Sequence, residues 1–312
     1  MSQTNQQVTL PDNSWHQRSR YFNSGNAFAL SLPAVPSVQF TDERDLAFNE
    51  STATSLIDMD SSARLDTPFP ATTPFALSRY MRIRSGERLS LKFNASVVVA
   101  CILQGAGSSR QTDSNSEIQW KRGDIMLLPG NQTFEHHATD DTVAWLVTDE
   151  PVLAFMGLSI HADDMLAVPE PVYYPAEDLD RELEAVYTHP DAKKFAGFAV
   201  VLSHDKLEHT RNIHPTLTLA LNSLPPGQAQ RPHIHNSMAL TLCIDGDDCF
   251  SMIDGVRKDW QQNAVMVTPP GAVHSHHNDG SKRMRCLIVQ DGALYYHGRT
   301  MGFSFAEHPV DR

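Results

Sequence analysis

The sequence predicts an all-β protein built from two copies of one small barrel, joined by a short helical linker. Three observations predict it. Short β-prone runs alternate with turn signals from about residue 70 onward. A single amphipathic helical stretch interrupts them. The chain also repeats itself at a spacing of 140–141 residues.

Residues 1–45 are polar and rich in Pro, Ser and Asn, with little periodicity, and read as an extended N-terminal arm. The opening stretch has no apolar signal core and no cleavage motif, and no run reaches membrane-spanning length. The expectation is a soluble, cytoplasmic protein. Strands are expected at Leu89–Phe93, Val97–Leu103 and Asp124–Pro129. Gly105-Ala106-Gly107-Ser108-Ser109 reads as a hairpin and not as a phosphate loop, because no strand–turn–helix context surrounds it. Pro175-Ala176-Glu177-Asp178 opens a helix whose apolar positions Leu179, Leu183 and Val186 recur at i, i+4, i+7. It ends before His189-Pro190. Strands resume at Phe198–Leu202 and Thr216–Leu221. His204, His209 and His214 recur every five residues, which on a strand puts them on opposite faces and argues against a shared site.

The repeat ties the halves together. Gly86 and Gly227 are 141 residues apart, as are Gly105 and Gly246, and Pro129 precedes Pro269 by 140. His136-His137 sits where His276-His277 sits. The expected organisation is an arm over 1–45, a barrel over 46–164, a helical linker over 165–195 and a second barrel over 196–312. At 312 residues the chain is comfortable for two cores. Its net charge of −12, with histidines neutral, argues against nucleic acid and against a basic membrane-facing surface. Cys101, Cys243, Cys249 and Cys286 form no C-x-x-C pair and read as reduced, buried thiols.

Chemistry concentrates in the second copy. His233 and His235, spaced i, i+2 on a strand, point to one side, and His274 from another strand can join them on one metal ion. Neutral imidazole suits Fe, Ni, Cu and Zn, and Mn less well. His276 shares the parity of His274 and, on a regular strand, faces the same interior. Arg231 shares the parity of His233 and His235 and, on a regular strand, enters the same barrel as a carboxylate anchor. Gln290 and Asp291, on a late strand, are candidates to support a metal histidine. In the first copy His136 and His137 lack such partners, and a surface or packing role is expected.

These residues resemble the cupin superfamily. Gly227, His233, His235, Gly246, Pro269, Gly271, His274 and Asn278 fall at the spacing of its two motifs. The first copy keeps Gly86, Gly105, Gly123 and Pro129, but has Lys92, Asn94 and Phe134 where the histidines belong, as in a barrel that has lost its metal. The resemblance implies two cupin barrels of the double-stranded β-helix, or jelly-roll, type. The usual cupin glutamate is replaced by Ala239, which leaves three imidazoles. That variant resembles gentisate 1,2-dioxygenase and its salicylate- and 1-hydroxy-2-naphthoate-cleaving relatives. His233 to Thr241 keeps the length and the Ala-Leu of their motif, with Thr241 in place of an arginine that holds the substrate carboxylate there. In the gentisate enzymes the metal motif lies in the N-terminal barrel, whereas here it lies in the C-terminal one.

The resemblance implies a non-haem Fe(II) dioxygenase that opens a small hydroxylated, carboxylated aromatic or an enolic acid with O2, in aromatic degradation. His233, His235 and His274 would bind the metal, His276 would be catalytic, and Arg231, Thr241 and Gln290 would meet substrate. Partners would be the small-molecule substrate and O2, in a homo-oligomer. The alternatives are a metal-dependent lyase, isomerase or decarboxylase using Mn, Ni or Zn as Lewis acid, and a non-catalytic ligand-binding cupin.

Overall fold

The structure is a computed structural model that describes residues 15–112, 114, 116–161, 167–192 and 197–306. Parts of the expected arm (1–14), linker (165–166 and 193–195) and second barrel (196 and 307–312) lie outside the described residues. The chain divides into two compact units, 1–33 and 34–312. Among its described residues the first holds a 3-10 turn, Trp15–Arg18, with none of those four buried. The second holds both barrels. Among the described residues no helix is long and apolar enough to cross a membrane.

Each barrel sets a six-stranded antiparallel sheet against one of fewer residues, with four strands in the first barrel and six in the second. In the first, the large sheet runs Val172–Tyr174, Ile125–Pro129, Val97–Gln104, Thr142–Thr148, Leu77–Ile83, Ser55–Asp58. Its small sheet runs Arg88–Leu91, Phe134–Ala138, Ala106–Gln111, Glu117–Lys121. In the second, the large sheet runs Gln39–Phe40, Val265–Thr268, Ala239–Asp245, Met284–Gln290, Thr218–Leu224, Phe198–Val201. Its small sheet runs Val256–Asp259, Cys249–Ile253, His274–Asn278, His233–His235, Phe303–Phe305, with Gln228–Ala229 also paired to His274–Asn278.

Residues 39–48, which polar composition placed in or beside the arm, are ordered against the body. Gln39 and Phe40 pair with Met266 and Val265 at the edge of the second barrel, and Thr41–Phe48 is helical. Phe40 and Ala47 are buried, so two apolar side chains anchor a stretch whose composition is otherwise that of a loop. The linker helix spans Ala176–Thr188, with Pro175 and His189 at its caps and Leu179 and Leu183 buried.

The large sheets are buried on both faces, which explains their near-continuous apolar runs. One face of each joins a shared core: Tyr80, Val97, Val99, Cys101 and Trp145 from the first barrel, Leu219, Leu221, Leu240, Leu242, Val265 and Val289 from the second. The Tyr80 hydroxyl donates to the Asn263 carbonyl across that boundary at 2.5 Å. The other faces line the two barrel interiors.

The chain crosses from large to small sheet at Gly105 in the first barrel and at Gly246 in the second, with φ of +85° and +137°. The expected hairpin at Gly105 is therefore a corner: Val97–Gln104 and Ala106–Gln111 lie in different sheets. A Cβ there would meet the Asp141 carbonyl at 2.6 Å, so position and conformation both demand glycine. A second close approach is at Gly107, where a Cβ would meet the His137 carbonyl at 2.1 Å and the Trp120 ring at 2.5 Å. Gly107→Ala is expected to lower stability by about 1–3 kcal/mol, because that space is already filled, read as an earlier denaturation midpoint. An unshifted midpoint would show that the sheet yields freely there.

His204 and His214 are not on a strand. Residues 202–217 form turns that bring both imidazoles inside, His204 against the Ile213 carbonyl at 3.2 Å and His214 against the Thr216 hydroxyl at 2.7 Å. Strand parity failed there because Pro215 and the polar run before it break the extended conformation.

Candidate metal centre

His233 stands directly opposite His274 on the neighbouring antiparallel strand, and His235 follows on the same face. Ring centroids are 4.2 Å apart for His233–His274, 4.6 Å for His235–His274 and 5.8 Å for His233–His235. One ring nitrogen from each lies within 4.8 Å of the others.

Backbone carbonyls fix which nitrogen that is. Nδ1 of His233 donates to the Arg231 carbonyl at 3.0 Å, Nδ1 of His235 to the Ser237 carbonyl at 2.8 Å, and Nδ1 of His274 to the Ala272 carbonyl at 2.9 Å. A carbonyl only accepts, so each Nδ1 carries the hydrogen and each Nε2 offers a lone pair inward. Burial lowers all three pKa values, and the neighbouring imidazoles push His274 further, to about 2. The rings stay neutral, as ligands must. This donor set fits a divalent transition metal, and no carboxylate belongs to it.

The histidines open into a cavity of about 280 Å³. Its volume comes from small side chains. In the first barrel Leu77, Arg79 and Met81 fill the interior of the strand Leu77–Ile83, whereas Thr218, Ala220 and Asn222 occupy the matching register in the second. Leu128 is likewise replaced by Thr268, and Val98 by Ala239. The corresponding space in the first barrel is only about 10 Å³.

The register also corrects the match to the first barrel. Leu91 pairs with Phe134 as His233 pairs with His274. Leu91, Phe93 and Phe134 therefore hold the three histidine positions and line the collapsed space. Lys92 and Asn94, expected there, are exposed on the other face. A constant offset slips by one residue in this strand, and a slip of one exchanges the faces.

His276 lines the cavity and is held from behind. Trp260 Nε1 donates to Ser251 Oγ at 2.9 Å, and Ser251 Oγ lies 2.7 Å from His276 Nδ1. Indole N–H only donates, so Ser251 accepts it; among the described residues the serine hydrogen has no acceptor other than His276 Nδ1, and giving it there satisfies the buried hydroxyl and leaves the imidazole hydrogen on Nε2. Burial holds the pKa of His276 down to about 3. His276 is thus a neutral donor, with the opposite tautomer to its three neighbours. The first barrel repeats the arrangement: Trp120 donates to Ser109 at 2.8 Å, and Ser109 lies 2.7 Å from His136 Nδ1. His136 is therefore a buried, partnered residue and not a surface one.

His136 gives a pH prediction free of any metal. Burial lowers its pKa from 6.5 to about 4. The unfolded chain then takes up the proton first, so this contribution is whole above pH 6.5 and is lost as pH falls towards 4. The full loss is about 3 kcal/mol. Denaturation midpoints between pH 7 and pH 4 should fall more steeply for wild type than for His136→Gln, and equal slopes would refute it.

The remaining predicted residues separate. Gln290 lines the cavity, with its amide nitrogen 3.3 Å from His235 Nε2. Asp291 does not join the histidine group; it stands at the N-terminal boundary of the helix Gly292–Gly298, and its carboxylate accepts the Met238 N–H at 2.8 Å, fixing the turn after His235. Burial lifts its carboxyl to about 7. Thr241 is fully buried, with no hydroxyl partner among the described residues, and is outside the cavity lining. Arg231 lies outside the barrel, exposed, with its guanidinium 4.3 Å over the Phe305 ring. The regular strand needed to point it inward is interrupted at residues 230–232, where Pro232 has no N–H to pair. Sequence reasoning missed Asn222, Gln230 and Thr268 in the wall, and Ser251 and Trp260 behind His276. The repeat held a signal for the tryptophan, since Trp120 precedes Trp260 by the same 140 residues.

Comparison with known proteins places these features. Residues 220–290 match the family described as Cupin domain. Gentisate 1,2 dioxygenase 1 of Aquipseudomonas alcaligenes is 32% identical over 101 residues, 32% of this chain and 28% of that protein. Gentisate 1,2-dioxygenase of Haloferax sp is 29% identical over 101 residues, with the same coverage. The matched segment thus spans well under a third of these relatives' length. Among solved structures, salicylate 1,2-dioxygenase from Pseudaminobacter salicylatoxidans superposes with a TM-score of 0.75 at 12% identity, covering 93% of this chain and 95% of that one. At that identity the likeness establishes the fold: two cupin barrels in one chain.

Proposed function

Starting from a two-barrel cupin fold similar to the gentisate and salicylate dioxygenases, we propose that the chain is an Fe(II)-dependent dioxygenase that opens a small hydroxylated aromatic or enolic substrate with O2. The observation that carries this reading is the convergence of three neutral imidazoles, without a carboxylate, on a half-open cavity that His276 also lines.

His233, His235 and His274 would hold the metal through Nε2. The chemistry that Fe(II) supplies when bound there is chelation of two substrate oxygens and passage of electrons from the ring to O2. The protein's own part is positioning. Three neutral ligands leave the full dipositive charge to face an anionic substrate. His276, with its hydrogen on Nε2, donates to substrate oxygen and stabilises charge that develops on it. Gln290 borders His235 and orients what binds beside it. Tyr296, Met301 and Phe303 line the same cavity and give it an apolar side.

The test is anaerobic Fe(II) loading of the purified protein, followed by O2 uptake with a panel of hydroxybenzoates and aminophenols. Fe(II)-dependent uptake on at least one member is expected. Tight zinc or nickel with no uptake on any member would reject the oxygenase in favour of Lewis-acid chemistry.

A further inference from the structure

A second cavity, of about 420 Å³, lies in the seam between the two barrels and is larger than the metal cavity. Matching corners of the repeat build it. Leu103 and Ile244 stand near the ends of corresponding strands, and Gly123 and Asn263, 140 residues apart, lie in corresponding turns with positive φ. The linker helix closes one side with Leu179 and Asp180. It comes this close because position 123 is glycine: a Cβ there would meet the Ala176 Cβ at 2.9 Å. Leu221 faces the seam, whereas Ala220 and Asn222 on the same strand face the metal cavity, so one sheet separates the two spaces. Among the described residues four charged side chains line the seam. Arg285 and Asp180 neutralise each other at 2.6 Å. The side chains of Arg122, exposed at the mouth, and Asp245, half-buried, have no hydrogen-bond or ion-pair partner among the described residues.

We propose that the seam is a second small-molecule site and that it takes a zwitterion with an apolar body, of the amino-acid or dipeptide kind. Charge balance is the reason. With Arg285 and Asp180 committed to each other, one cation and one anion are left to meet a ligand. The Arg122 guanidinium offers a carboxylate two parallel N–H donors. The Asp245 carboxylate accepts from an ammonium group. A ligand with a single charge would leave one of the two without its counter-charge. The body of the ligand leaves water against Leu103, Leu179 and Ile244. The volume lies in the range of small-molecule sites, about 300–1,000 Å³, and such sites favour the boundary between domains. None of the three metal histidines lines the seam, so the site stands apart from the oxygenase reading.

The experiment is calorimetric titration of the full-length chain at neutral pH. The probes are two zwitterions, L-phenylalanine and the dipeptide alanylphenylalanine, whose charges stand closer together and further apart. Hydrocinnamate supplies the carboxylate alone and phenethylamine the ammonium alone. At least one zwitterion is expected to bind about tenfold or more tightly than either singly charged probe, the loss of one charged contact being the difference. Arg122→Ala and Asp245→Asn are each expected to weaken that zwitterion about tenfold. His274→Phe is expected to leave its affinity unchanged. Binding of neither zwitterion, or of a zwitterion no tighter than hydrocinnamate or phenethylamine, overturns the proposal. So does an affinity that survives intact in both Arg122→Ala and Asp245→Asn. An affinity lost in His274→Phe moves the ligand to the metal centre and overturns the seam site while leaving the metal reading intact.

Discussion

His274→Phe is expected to yield a folded protein that no longer retains Fe(II), with metal content below roughly a tenth of wild type and O2 uptake at background. Phenylalanine is the residue that the first barrel itself places at this point, beside Leu91 and Phe93. The substitution therefore asks the second barrel to accept a side chain that its twin already packs. Removing one of three ligands leaves two imidazoles, and among the described residues no carboxylate lines the cavity to replace the third. Metal analysis after dialysis, with circular dichroism as the check on folding, reads the result. Iron retained in full by a folded His274→Phe protein, or by His235→Ala, would remove the centre described above.

The second large effect concerns the hydrogen-bond chain behind the cavity. His276→Ala is expected to keep the metal and to lower kcat by about a hundredfold, as loss of one well-placed proton donor does. Ser251→Ala tests how that donor is set. Without the serine hydrogen, Nδ1 of His276 is free to take the proton, and the Nε2–H that faces the cavity is no longer enforced. A fall in kcat of about tenfold with little change in metal content is expected, and nitrogen NMR of labelled histidine should show the two ring nitrogens of His276 moving towards averaging. The first barrel supplies the control. Ser109→Ala breaks the same contact to His136 and should lower stability while leaving kcat unchanged. Equal kcat in the two serine variants and wild type would reduce the Trp–Ser–His chain to scaffolding in both barrels.

The duplication made much of the fold readable. Turn glycines 141 residues apart, such as Gly105 and Gly246, mark the same corner in each barrel because that corner needs a positive φ in both. The helix Ala176–Thr188 was legible from its 3.6-residue periodicity and its proline start. The three metal candidates were legible because i, i+2 spacing on a strand forces His233 and His235 to one face whatever surrounds them. Legibility stopped where the conclusion needed a strand to stay regular. Arg231 fails across Pro232, His204 and His214 fail across a turn, and Lys92 fails through a one-residue slip that turns its face outward.

The sequence by itself thus determined two barrels, one of them bearing three convergent imidazoles, since local spacing and covalent periodicity suffice for both. The tertiary structure alone decided what that site can hold. It put Thr218, Asn222, Gln230 and Thr268, scattered across three separate stretches of chain, around one cavity, and it sent the nearest arginine outside. It also set the protonation of His276, through a serine and a tryptophan 25 and 16 residues away in sequence. Side-chain contacts across sheets depend on register and barrel closure, and no local pattern encodes those.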